Sequence, residues 1–208
     1  MDTAVALVQS YLYMNGYFTV TEYPVLELMS DGEYRTVTDV DVLAVHIPGA
    51  GRDDADVSGS FVSVDPDLDV DLGRIDLIIA EVKEGRAELN ASARDPKVLR
   101  AALNRFGAMG EERISRVIAD LLDDGEANHP DGPRVRLMAF GARPPTDRNA
   151  TYQWRLLGDL AAFMRSTLNS NWSAAQSIQS KDPALSFLLL LEKAVRGEKK
   201  APDMRPET

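Results

Sequence analysis

Cysteine is absent from the 208 residues, and histidine occurs only as His46 and His129. These scarcities exclude disulfides, thiolate nucleophiles and cysteine-held zinc, and two isolated imidazoles are too few for a histidine-rich metal centre. Any metal site has to be built from oxygen ligands. No apolar run approaches the roughly 20 residues that span a bilayer, and the N-terminus has no basic stretch leading into an apolar one. A cytoplasmic protein with no membrane association is therefore expected. The Walker A loop, the Rossmann glycines, the nucleophile elbow and the H-E-x-x-H helix are missing as well.

An apolar content of 44% is enough for one sizeable core. The net charge of -10 argues against a general nucleic-acid coat, since non-specific affinity comes mainly from Lys and Arg neutralising phosphates. The charge is uneven, however. Residues 48–76 carry eight Asp against Arg52 and Arg74, whereas residues 83–116 carry eight Lys or Arg against five acids, and residues 134–155 carry five Arg against Asp147. An acidic chain of this kind can still present a basic face.

Ala4, Leu7, Val8, Tyr11 and Leu12 fall on one helical face and predict a helix over 3–15, with Gly16 as its left-handed stop. Tyr17–Met29 is rich in β-branched and aromatic residues and leads into Ser30-Asp31-Gly32-Glu33, a hairpin turn signal. The return strand is expected over Tyr34–Ile47, with Val37, Asp39, Asp41, Leu43 and Val45 on one face and Val40, Val42 and Ala44 on the other. A long acidic connection follows, including a short strand at Ser60–Val64. Residues 75–83 are an almost unbroken apolar run ending in Glu81 and Lys83, as in a central strand covered on both faces.

Asp95-Pro96 opens a helix to Phe106, and a second spans Glu111–Asp124 before Gly125. Arg134–Gly141 is a further strand and Tyr152–Leu157 an extended piece. Asp159 is expected to cap a helix through Leu168. Asp182-Pro183 opens the last helix, with Phe187, Leu188, Leu191 and Val195 inward, and a frayed charged tail follows from Gly197. The pattern is that of an α/β domain around a mixed sheet, with a core over 1–170 and residues 171–208 packed on it.

Glu81 and Lys83 are two apart on a strand and share a face; Asp39 and Asp41 do the same on the preceding strand. Pairing of the two strands would bring a carboxylate from each to one point. Two or three carboxylates with a main-chain carbonyl such as that of Val82 suit a hard cation, Mg²⁺ or Mn²⁺. Lys83 could then orient an attacking water or stabilise developing charge.

The order helix, Gly-aromatic entry at Asn15-Gly16-Tyr17-Phe18, hairpin, x-Asp-apolar-apolar strand and apolar-Glu-x-Lys strand resembles the PD-(D/E)XK (restriction-endonuclease-like) nuclease superfamily over residues 3–141. The resemblance implies an αβββαβ core and a Mg²⁺-dependent nuclease, acting on DNA in restriction, defence or repair. In it Asp41 and Glu81, with Val82 carbonyl and Asp39 as a further candidate, would bind metal, and Lys83 would activate water. Three features depart from the family pattern: no Glu lies in the first helix, Val40 stands where the motif's name has Pro, and the connection 48–74 is long.

The ordinary alternative is that a Glu-x-Lys at a strand end forms a cross-strand ion pair and nothing more. A catalytically inactive domain of the same fold, serving as a binding or regulatory module, is the competing function. Arg86, Arg94, Lys97 and Arg100 are candidate phosphate contacts or equally a solvated helix face. Trp154 and Trp172 are either base-stacking or core residues. The alternating Asp65, Asp67, Asp69 and Asp71 lack the Gly and Glu of a calcium loop and are read as solvated acids that could gate the site. A homodimer or a partner subunit is left open.

Overall fold

The computed structural model describes residues 2–50 and 63–197. The chain begins with helix α1 (Thr3–Met14), strands β1 (Tyr17–Leu28), β2 (Tyr34–His46) and β3 (Asp76–Arg86), then helices α2 (Pro96–Phe106) and α3 (Glu111–Asp124). Strands β4 (Glu126–Asn128), β5 (Arg134–Arg143) and β6 (Gln153–Leu156) follow, and helices α4 (Leu157–Ser170), α5 (Trp172–Ala175) and α6 (Pro183–Arg196) complete it. Among these helices, α1, α2 and α6 start from aspartate caps: Asp2, Asp95 and Asp182 accept the N–H groups of Ala4, Lys97 and Leu185 at 2.8 Å each. Gly16, Gly107 and Gly125 adopt left-handed backbone beyond α1, α2 and α3, as their positions predict.

The six strands form one mixed sheet in the order β1-β2-β3-β5-β4, with β6 also on β5. β1, β2 and β3 are an antiparallel meander, and α2 and α3 carry the chain across to β5, which runs parallel to β3. β4 lies antiparallel along Arg134–Arg136 of β5, and β6 parallel along Met138–Gly141. α1, α4 and α6 bury Val42, Ala44, Ile78, Ala80, Val82, Met138 and Phe140 on one face. α2 and α3 bury Leu43, Leu77, Ile79, Val135, Leu137 and Ala139 on the other. A sheet covered on both faces explains why β3 and β5 read as continuous apolar runs.

Several expectations need correction. Strict alternation along β2 fails, because Val40 lies with Leu43 on the α2 side while Val42 and Ala44 lie on the α1 side. The partner strand switches in step: Tyr17 packs on the α1 side, whereas Tyr23 and Val25 pack on the α2 side. Between them Glu22 adopts left-handed backbone (φ 53°), which turns the following side chains to the other face. α4 starts at Leu157 without a side-chain cap, and Asp159 sits inside its first turn, where a negative charge complements the helix dipole.

On α6 the inward residues are Leu185, Leu188, Leu189 and Glu192, while Phe187, Leu191 and Val195 face outward. The three-residue β4 had no signal of its own in the sequence. Ser63 and Val64 are not strand; the rest of the expected strand at 60–64, and the charged tail beyond Gly197, lie outside the described residues.

Asp76, at the start of β3, is fully buried against Arg136 of β5 (2.7 Å) and accepts the Tyr17 hydroxyl (2.8 Å). Burial pushes the Tyr17 phenol well above its ordinary range. Asp69 and Asp71 are fastened to this end of the sheet by Arg134 and Arg74, whereas Asp65 and Asp67 pair with Arg155 of β6, which is level with Phe140 and Val82. The Arg74 guanidinium holds the Asp71 carboxyl below its usual value. Asp76 and Glu81 are five residues apart on β3, about 16 Å of strand. Asp65, Asp67, Asp69 and Asp71 are thus each paired with an arginine, and Asp69 and Asp71 lie toward the Asp76 end of the sheet.

Candidate active site where β2 and β3 part

The β2–β3 ladder ends at the pair Val42–Ala80, so the next residues, Asp41 and Glu81, stand where the two strands separate. There the Asp41 side chain takes over from the backbone: its Oδ2 accepts the Val82 N–H at 2.7 Å. The carboxylate is thereby fixed in the gap between the strands rather than projecting from either face. Asp39 is exposed, pairs with Pro24 of β1, and lines a narrow cleft that also includes Thr38, Val40, Glu81 and Val98. With the alternation broken at Asp41, strand periodicity does not hold Asp39 and Asp41 on one face.

Glu81 is 5% exposed at the end of the apolar run of β3. Its Oε1 meets the half-exposed Lys83 ammonium and accepts the Asn90 Nδ2–H at 2.7 Å. Asn90 in turn accepts the Ala93 N–H through its Oδ1 (2.7 Å), which ties the carboxylate to the turn before α2. Asn90 was not among the residues expected from the sequence; its one signal is an Asn two residues ahead of a short helical turn. Val82 packs its side chain beneath α1 and offers its N–H to Asp41.

The two carboxyls are held above their ordinary values. For Asp41, burial is the main cause, opposed by the Val82 N–H and Lys83 and reinforced by the charges of Asp2 and Glu22. For Glu81, burial again dominates, opposed by the Lys83 contact and reinforced by Asp41. One ammonium thus serves two partly desolvated carboxylates with further negative charge nearby. Such a site gains from an added cation or from a proton. Among the described residues no three His, Asp or Glu side chains group closely enough to hold a metal ion by themselves.

The basic candidates are engaged within the chain. Arg86 donates to the Pro144 carbonyl (3.0 Å), Lys97 pairs with Glu27, Arg100 pairs with Glu111, and Arg94 lies over the Tyr152 ring. Trp154 and Trp172 are partly buried against the two core clusters, and the Arg196 guanidinium covers Trp172. His46 is fully buried against Tyr17, and His129 pairs with Asp120. No described helix is long and apolar enough to cross a membrane. No protein-family model, curated protein or solved structure matches the chain.

Proposed function

We propose that the chain is a divalent-metal-dependent phosphodiesterase of the PD-(D/E)XK type acting on DNA, with Asp41, Glu81 and Lys83 as its working residues. The observation that carries the proposal is the convergence of Asp41, Glu81 and Lys83 at the point where β2 and β3 part, with both carboxyls raised above their usual values. The order α1-β1-β2-β3-α2-α3-β5, with β5 parallel to β3, supports it.

The donor set fits Mg²⁺ or Mn²⁺. Asp41 and Glu81 supply hard oxygen ligands, and the Val82 carbonyl, water and substrate oxygens would complete a shell that two carboxylates alone leave open. When bound, such a cation polarises a phosphodiester and offsets the charge that develops on it. Lys83 orients the attacking water and stabilises charge on the phosphate, and Asn90 fixes Glu81 in place for both tasks. Water adds to phosphorus, one ester P–O bond breaks, and the water proton ends on the leaving oxygen.

A non-catalytic binding module is the second reading, favoured by the Lys83–Glu81 pair, which is satisfied within the chain. Wild type, Lys83→Ala and Glu81→Ala are to be incubated with single- and double-stranded DNA and RNA in Mg²⁺ or Mn²⁺. Metal-dependent cutting that falls by about 10²-fold or more in Lys83→Ala is expected. Cutting that survives both substitutions would remove the site assignment. Absence of cutting by wild type, together with no Mn²⁺ binding in calorimetry, would favour the binding module.

A further inference from the structure

α6 is apolar on both sides. Its inner side, Leu185, Leu188 and Leu189, packs against α1 and α4. Its outer side carries Phe187, Leu190, Leu191 and Val195, which are 60%, 64%, 39% and 69% exposed. A helix that is hydrophobic around most of its circumference is normally covered on both sides, and contiguous exposed apolar surface of this kind marks an interaction site. We propose that the outer face of α6 is a self-association surface, and that its occupant is α6 of a second copy of this chain, packed antiparallel about a two-fold axis at Leu191.

The spacing favours a second copy. Phe187 and Val195 lie four residues on either side of Leu191, so a two-fold crossing there sets the large Phe187 of each protomer against the small Val195 of the other and Leu191 against itself. This self-complementarity is what a two-fold interface requires. The stripe carries no charged residue, which disfavours nucleic acid or a charged peptide as its partner. Antiparallel pairing also opposes the two helix dipoles.

The exposed fractions amount to on the order of 400 Å² of apolar surface per copy, hence about 800 Å² in a pair. With about 65% of a homodimer interface apolar, the whole contact would be about 1,200 Å², the lower end for a specific interface. The association is therefore weak and concentration-dependent. It does not rest on the proposed activity.

Sedimentation velocity across a dilution series should show the full chain passing from one to two copies, and Leu190→Lys, at a solvent-exposed position, should hold it at one copy. The absence of native cysteine permits a second measurement. Leu191→Cys, oxidised with copper phenanthroline, should give a covalent dimer, whereas Phe187→Cys should cross-link efficiently only when mixed with Val195→Cys. A wild type that stays single at every concentration, or a dimer indifferent to Leu190→Lys, overturns the proposal. Cross-linking of Phe187→Cys alone in preference to the mixture overturns the antiparallel geometry.

Discussion

Asp41, Glu81 and Glu22 make the candidate site expensive to fold. Both carboxyls are raised in the folded chain by burial, so the folded state keeps their protons to higher pH than the unfolded chain does. The penalty is absent below the unfolded values, near pH 4, and grows as pH rises through the folded ones. Asp41→Asn and Glu81→Gln should therefore be more stable than wild type at pH 7, by about 0.5–1 kcal/mol. The gain should vanish at pH 4, which urea titrations at the two pH values would reveal. A loss at pH 7 equal to that at pH 4 would mean the charges are not strained. Glu22 holds left-handed backbone at about 1–2 kcal/mol above its relaxed conformation. Glu22→Gly should raise the unfolding midpoint, whereas Glu22→Val should lower it.

At the scale of elements, Gly141 decides how closely β5 approaches the segment after β3. A Cβ there would sit 2.4 Å from the Ala87 N and 2.7 Å from the Ala87 Cα. Gly141 pairs with Lys83 across the parallel ladder, so Gly141→Ala should cost roughly 1–3 kcal/mol and displace Lys83 from Glu81. A thermal melt and a cleavage assay together would check both effects; an unchanged melt would show that the segment yields freely. The long elements were legible because their signals are local: Asp caps, glycine stops and the apolar run of β3. The face switch at Glu22 and Asp41 was not, since a strand alternates by default and nothing in the sequence marks a non-glycine residue as left-handed. The outward turn of Phe187, Leu191 and Val195 was equally hidden, because α6 has two apolar sides and only packing selects which one α1 and α4 cover. Asn90 acts through tertiary contact, with no sequence period to expose it.

At the scale of the whole molecule, the sheet has two polar ends with different tasks. At the Asp76 end, Arg136 is fully buried against Asp76, the Leu68 carbonyl and Tyr17, and the neighbouring Arg134 and Arg74 tie down Asp69 and Asp71. Arg136→Met should cost on the order of 3–5 kcal/mol, because it strands a buried carboxylate, and a denaturant titration that finds less than about 1 kcal/mol would contradict that assignment. At the other end, Asp41 and Glu81 share one ammonium and remain short of positive charge, the condition that a divalent cation relieves. The most direct measurement is the cleavage rate on double-stranded DNA with and without Mg²⁺, for wild type and for Lys83→Ala of matched circular dichroism. Wild type should cut when Mg²⁺ is present and Lys83→Ala should cut little, as a site built on Asp41, Glu81 and Lys83 requires. Equal cutting by the two proteins, or cutting that persists when Mg²⁺ is chelated, would contradict it.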